Sequence, residues 1–188
     1  MLAEQNLTDA KLVSAARQGD QEAFKELVKR HEPRVAATVI GMLGNCAEAE
    51  DVGQETFIRL YKNMEKFRGE SSLATYLTRI AINLSLNELK RRRRRGLLFY
   101  QKSPEEIYEL PDTKANGQKN EDKEIVQRAI GKLESKFRAV VVLRLIDGYS
   151  AEETAKILHV PLGTVLSRLS RAQKKLKELL IPYYGDER

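Results

Sequence analysis

The sequence predicts an all-α protein: two small helical domains joined by a flexible linker, with a helix-turn-helix in the C-terminal domain. Three observations carry that reading. Apolar residues recur at helical spacing along most of the 188 residues, while alternation of β-branched with polar residues is rare. The stretch 97–120 breaks the period and holds Pro104, Pro111 and Gly117 among mixed charges. Beyond it, the segment from Tyr149 to Val165 holds start signals for two short helices separated by only a few residues.

Taken in order, Thr8 or Asp9 can cap a short first helix ending near Gly19. A second is expected over 20–43, with Phe24, Leu27, Val28, Val35, Val39 and Met42 inward. Pro33 should bend or break it, because a proline inside a helix costs roughly 3 kcal/mol. Gly44-Asn45 closes it. A third helix spans 47–66, where Val52, Phe57, Ile58 and Tyr61 are spaced for a buried face. A loop at 67–72 leads to a fourth helix, 73–94, that buries Leu77, Ile80, Ala81 and Leu84 and stops at Gly96. Helical periodicity resumes at Glu121. Val140-Val141-Val142 lies within the longer period of Ile130, Leu133, Phe137 and Leu145, so it reads as helix. Arg144 interrupts that apolar run and is expected to project outward. The division is a first domain at 1–95, a linker at 96–120, acidic in its first half, and a second domain at 121–188.

Ser150 with Glu153 forms a capping box, and Pro161 suits the first position of the following helix. That second helix carries Arg168, Arg171, Lys174 and Lys175, so the pair reads as a helix-turn-helix offered to DNA. The net charge of +6 favours a polyanionic partner. Cys46, the single cysteine, excludes an internal disulfide framework and suits a reducing compartment. The start has no signal-peptide pattern, and no apolar run approaches the roughly 20 residues of a membrane span. A cytoplasmic protein is expected. His31 and His159 lie far apart, and neither stands at metal-ligand spacing with Cys46. There is no Gly-rich phosphate loop, nucleophile elbow or paired-carboxylate motif, so neither a cofactor, a metal nor catalysis by the chain itself is expected.

Four blocks then stand in order: Ala49-Glu50-Asp51-Val52-Gly53-Gln54-Glu55-Thr56-Phe57-Ile58, Phe67-Arg68-Gly69-Glu70-Ser71-Ser72-Leu73, Thr75-Tyr76-Leu77-Thr78-Arg79-Ile80-Ala81-Ile82-Asn83 and Pro161-Leu162-Gly163-Thr164-Val165. Together they resemble the extracytoplasmic-function (ECF) group of bacterial RNA polymerase sigma factors, of the sigma-70 family, from Asp9 to Leu180. The resemblance implies an alternative sigma factor that brings core RNA polymerase to specific promoter DNA and melts the minus-ten element. It implies that Asp51, Gln54 and Glu55 dock on the coiled coil of the largest polymerase subunit. An ordinary solvated helix face would show the same spacing.

The resemblance further assigns the minus-ten element to Phe67, Arg68, Ser71, Ser72, Tyr76, Asn83 and Asn87, which would hold a base flipped from the non-template strand. Asparagine can read a base edge, and aromatic or guanidinium planes can stack on it. Many relatives have Trp where this chain has Tyr76. A structural reading coexists: Ser71 or Ser72 caps the fourth helix and Tyr76 packs in the core. The run Lys90, Arg91, Arg92, Arg93, Arg94, together with Arg168, is implied to hold DNA backbone, although such a run is also a common solvated charge cluster. Minus-thirty-five contacts fall on Arg144, Leu166, Ser167, Ser170 and Arg171. Leu166 and Gln173 stand where many relatives carry basic residues, so the promoter sequence read here cannot be copied from theirs. An anti-sigma partner, often membrane-bound in such systems, is also implied. Two rival readings stay open: a stand-alone helix-turn-helix regulator, which leaves the N-terminal blocks unexplained, and a small helical nucleic-acid-processing enzyme.

Overall fold

A computed structural model describes residues 7–100 and 118–185, with side chains at 97–100 and 118–120 excepted. The expected linker lies largely outside the described residues. Four helices precede it: α1 (Asp9–Arg17), α2 (Gln21–Leu43), α3 (Ala47–Lys62) and α4 (Leu73–Tyr100), with a 3₁₀ turn at Met64–Lys66 after α3. Four follow: α5 (Gln118–Gly131), α6 (Ser135–Val141), α7 (Ala151–Leu158) and α8 (Leu162–Tyr184), with a π-helical turn at Val142–Ile146 extending α6.

Local chemistry accounts for most boundaries. Asp20 caps α2 by accepting from the Ala23 amide at 3.0 Å. Asp9 ties α1 to α2, accepting from Arg30 at 2.9 Å and meeting His31 Nε2 at 2.8 Å. Pro33 does not break α2. It is exposed on the surface of that helix, so the carbonyl it deprives of a donor can be hydrated. Nor does Gly96 end α4. It lacks the positive φ of a helix-stop glycine, and the roughly 1 kcal/mol it costs does not outweigh continuation of a long helix.

Two burial expectations are corrected. On α3 the packed face is Ala49, Val52, Thr56, Phe57 and Leu60, while Ile58 and Tyr61 are 44% and 60% exposed. A 3.6-residue period puts Ile58 and Tyr61 on the opposite side from Val52 and Leu60. In the π turn, the Asp147 amide donates to the Val142 carbonyl at 2.9 Å, one residue further back than in an α-helix. The extra residue shifts the phase, and Leu145 emerges 55% exposed rather than inward.

The larger core is shared across the linker. Leu27, Val39, Leu60 and Leu77 from the first half pack in one cluster with Val142, Leu143, Tyr149 and Ile157 from the second. A smaller cluster of Ile130, Leu133, Phe137, Val141 and Ala172 holds α8 against α5 and α6. Each fully buried aliphatic side chain contributes about 1.5–3 kcal/mol, so the shared cluster binds the halves together as well as each to itself.

Candidate nucleic-acid interface

The exposed side of α3 presents Asp51 and Gln54, with Glu55 half-buried at its edge. The two apolar residues expelled from the core, Ile58 and Tyr61, continue the same stripe at positions 51, 54, 58 and 61. That alternation of three and four residues is the spacing of a seam that packs against other helices. Glu55 is held by Arg59 at 2.9 Å, and Tyr61 meets the Phe24 ring edge-on at 5.0 Å between centroids. Sequence periodicity missed Ile58 and Tyr61 as surface residues because it counted apolar positions without fixing which side faced the core. Alongside, Asp51 and Glu55 line a groove with Asn87 and Arg91 of α4.

The 67–72 loop is held from below. Arg17 donates through Nε to the Met64 carbonyl at 3.1 Å and through Nη2 to the Phe67 carbonyl. Phe67 and Tyr76 pack ring on ring, 5.0 Å between centroids and 53° apart, which fixes both aromatic planes at the mouth of the loop. Ser72 starts α4: its Oγ accepts from the Thr75 amide at 3.1 Å, and its carbonyl accepts from the Tyr76 amide at 3.0 Å. The capping reading of Ser72 is therefore seen directly. Arg68 is exposed and Ser71 half-buried. Along α4, Tyr76, Asn83 and Asn87 fall on one face, with both asparagines exposed.

The basic run is not uniform. Glu88, only 8% exposed in its side chain, pairs with Arg91 at 2.6 Å, Arg92 at 3.3 Å and Arg95 at 3.4 Å. Arg92 also donates to the Leu43 carbonyl at 3.2 Å and reaches Cys46 Sγ at 3.0 Å and Glu48 at 3.4 Å. This arginine therefore joins the α2–α3 corner to α4. Lys90, Arg93 and Arg94 point to solvent.

In the helix-turn-helix, the capping box at Ser150 is complete, with Glu153 N–H donating to Ser150 Oγ at 3.1 Å and Ser150 N–H donating to Glu153 Oε2 at 2.7 Å. His159 ends α7 in the left-handed conformation at φ 52°, turning the chain into Pro161, which caps α8. Val165 and Ala172 are buried, so Leu166, Ser167, Ser170 and Arg171 are left on the exposed side of α8 with Lys174. Arg168 sits half-buried at the flank. Arg144 does not simply project outward. Its Nη1 donates to the Tyr149 carbonyl and its Nε is buried without a hydrogen-bond partner among the described residues, so it braces the turn at 147–149.

No described helix is long and apolar enough to cross a membrane. No described cluster of His, Cys, Asp or Glu could hold a metal ion.

A helix-turn-helix joined to a second helical body with exposed acidic, aromatic and basic faces is the architecture of a DNA-binding protein. Sigma-70 region 2 matches residues 27–95 and sigma-70 region 4 matches residues 123–176. The chain is 33% identical over 178 residues to the ECF RNA polymerase sigma factor SigW of Bacillus subtilis (strain 168), covering 90% of this chain and 95% of that protein. It is 34% identical over 190 residues to the ECF RNA polymerase sigma-E factor of Escherichia coli (strain K12), covering 95% and 97%. Among solved structures it is similar to CnrH in complex with the cytosolic domain of CnrY, at a TM-score of 0.68 and 26% identity over 93% of this chain and 98% of that one. The sigma factor RpoE in complex with the anti-sigma factor NepR from Bartonella quintana gives a TM-score of 0.68 at 25% identity, over 88% and 98%. The chain belongs to the ECF group of sigma-70 family RNA polymerase sigma factors, and it acts as an alternative sigma factor in transcription initiation. Matches to both regions disfavour the stand-alone regulator.

Proposed function

We infer that this sigma factor grips core RNA polymerase through α3 and reads promoter DNA with two separate surfaces. The observation that carries the reading is the α3 stripe, where Asp51, Gln54 and Glu55 flank the exposed Ile58 and Tyr61. Acidic and amide groups around an apolar centre suit a basic helical hairpin, because the apolar pair supplies burial and the charges supply orientation. Replacing Asp51 and Glu55 together with Arg should abolish capture of purified core polymerase. Retained capture would sink the assignment.

The minus-ten element falls to the loop and to the face of α4. Phe67 and Tyr76 offer two rings packed at a tilt, Arg68, Ser71 and Ser72 line the loop, and Asn83 and Asn87 offer amides to base edges. Lys90, Arg93 and Arg94 then take backbone phosphates, with Arg91 and Arg92 contributing to the field while remaining paired to Glu88. The minus-thirty-five element falls to Leu166, Ser167, Ser170 and Arg171 on α8, with Arg168 on phosphate and Arg144 at the edge. Leu166 supports a contact to a thymine methyl in place of a charged contact.

The functional division is 1–95 for polymerase and the minus-ten element, 96–120 as connector and 121–188 for the minus-thirty-five element. The reacting groups of RNA synthesis belong to the polymerase, and this chain performs no catalysis. It works in the cytoplasm. The complexes of CnrH with CnrY and of RpoE with NepR support an anti-sigma partner for this chain too, and a membrane-anchored partner would hold it at the membrane.

A further inference from the structure

Arg17 stands on α1, distant in sequence from every residue assigned to promoter reading, yet its side chain grips the start of the minus-ten loop. Its Nε donates to the Met64 carbonyl at 3.1 Å and its Nη2 to the Phe67 carbonyl, across 47 and 50 positions of sequence. The Met64 carbonyl also receives the Phe67 amide at 3.1 Å, which closes the 3₁₀ turn. The Phe67 carbonyl receives no backbone amide among the described residues and takes the arginine instead. Beyond it the loop has little of its own to order it. Residues 68–71 make no backbone-to-backbone hydrogen bond among the described residues, and Gly69 sits at φ 73°, where side chains are strained. Order must therefore enter from the ends. At one end Ser72 caps α4. At the other stand Arg17 and the packing of Phe67 on Tyr76, 5.0 Å between centroids.

The arginine has a firm base. Its helix buries Leu12, Val13 and Ala16. Asp9 fastens the start of α1 to Arg30 at 2.9 Å and His31 at 2.8 Å on α2. At the far end the Asp20 amide donates back to the Ala15 carbonyl at 3.2 Å, and the Asp20 side chain begins α2. Arg17 thus projects from a helix fixed at both ends. Its planar guanidinium presents several N–H groups at set angles, which lets one side chain hold both carbonyls, whereas a lysine ammonium is a single point donor. Arg17 is also exposed, so a phosphate contact is the rival role that a test must separate.

We propose that Arg17 is a positioning residue for minus-ten capture: by tying the Met64 and Phe67 carbonyls to α1, it holds the Phe67 and Tyr76 rings at the loop mouth in the geometry that receives an extruded base. The inference rests on the minus-ten reading of this loop. An ordered pocket takes up the base without first spending binding free energy on fixing Phe67 and the backbone beside it. The arginine acts through the loop rather than on the base. Its loss should therefore reduce how much of the unstacking cost is returned on capture, and leave the other surfaces of the protein as they were.

The test uses holoenzyme reconstituted with the full chain and a promoter duplex mispaired over the minus-ten element. Each non-template base of that element is replaced in turn by an abasic site. Wild-type holoenzyme should lose affinity at the position whose base is captured. Arg17→Met should bind the intact probe about tenfold more weakly, and Arg17→Lys, which keeps the charge but not the fork, about threefold. At the sensitive abasic position wild type and both variants should converge, because there is no base left for an ordered pocket to hold. Capture of core polymerase and the urea midpoint should stay at wild-type values, and the salt slope should not change. Wild-type affinity in Arg17→Met, or a loss that persists undiminished at the abasic position, overturns the inference. A salt slope shallower by about 1 also overturns it, by making Arg17 a phosphate contact. If no abasic position weakens the wild type, the capture reading of the loop itself fails. A sensitive wild type beside an unaffected Arg17→Met sinks the positioning role alone.

Discussion

Arg92 and Arg138 cap one helix end from opposite sides of the linker. Arg138 Nη1 donates to the Met42 carbonyl at 2.7 Å, and Arg92 Nη1 donates to the Leu43 carbonyl at 3.2 Å. The last turn of α2 contains no basic residue of its own, so the negative end of its dipole is met by cations brought from elsewhere in the chain. Burial, with a smaller contribution from the repulsion of Arg92, brings the Arg138 pKa down to about 10. It stays charged at neutral pH, where its hydrogen bonds justify that burial.

Arg138→Met should therefore destabilise the fold substantially. It removes the bond to Met42 as well as those to Leu133, at 3.1 Å, and Gly131. The loss should be about 2–3 kcal/mol, read as a lower urea midpoint, because buried carbonyls lose a charged donor. Arg93→Met, on exposed helix surface, should stay within about 0.5 kcal/mol. Equal effects would mean that the α2 cap contributes nothing.

Asp147 predicts a pH dependence. Burial pushes its carboxyl up to about 6, against the opposing pulls of Thr38 and Arg34. Thr38 has a single hydroxyl proton and two acceptors in range, the Arg34 carbonyl at 3.0 Å and Asp147 at 2.9 Å. A protonated Asp147 resolves the conflict by donating to Thr38, which then donates to Arg34. The folded state thus holds a proton that the unfolded chain releases near pH 3.8. Stability from this group is greatest in acid, falls as pH rises between about 4 and 6, and is level above. The effect is at most about 3 kcal/mol. Asp147→Asn should flatten that slope in a pH series of chemical denaturations, and an unchanged slope would assign it to other groups.

The helices and the helix-turn-helix were legible because their signals are local: the Asp20 cap, the Ser150–Glu153 box, the Gly44 stop. The facing of α3 was not, since a period fixes which residues share a side but not which side is buried. The same holds for Arg144, whose direction depends on a π turn that no propensity marks. The span of α4 was misjudged at Gly96 because a stop signal was weighed without the ion pairs around Glu88. The linkage of the halves depends on Gly41 meeting Val142, a contact between residues 101 positions apart that one sequence cannot reveal.

Ile58 and Tyr61 should behave as binding residues rather than core residues. Both are more than two-fifths exposed, so Ile58→Ser should change stability by less than about 1 kcal/mol. Capture of core polymerase should weaken by about 1–2 kcal/mol, roughly tenfold in affinity, because an apolar centre ringed by charge carries much of an interface. A variant that unfolds but still binds when folded would return Ile58 to the core.

Asn83→Ala should impair strand opening more than initial binding. The side chain is exposed on the α4 face that includes Tyr76, and capture of an extruded base repays part of the few kcal/mol spent unstacking it. Permanganate reactivity of the minus-ten region on holoenzyme complexes reads opening, and gel shift reads binding. Tyr76→Phe should retain opening, since the ring that packs on Phe67 remains. Loss with Phe equal to loss with Ala would make the hydroxyl, not the ring, the working part.

The two arginines of the minus-thirty-five surface should separate by their second role. Arg171 lies exposed on α8 and makes no hydrogen bond to another of the described residues, so Arg171→Ala should leave stability unchanged. It should cost about 1–3 kcal/mol of discrimination between a specific promoter and random DNA. Arg144 also holds the Tyr149 carbonyl from within a half-buried site. Arg144→Ala should therefore lower the unfolding midpoint and weaken promoter binding together, with the turn at 147–149 losing its brace. Arg168→Ala, from a flank position, should weaken all DNA alike and reduce the salt slope by about 1. Holoenzyme titrations on specific and random DNA at several salt concentrations, beside denaturation of each variant, resolve the three patterns. If Arg171→Ala lowers affinity equally for both DNAs, its contact is to phosphate and the promoter is read by Leu166 and its serine neighbours instead.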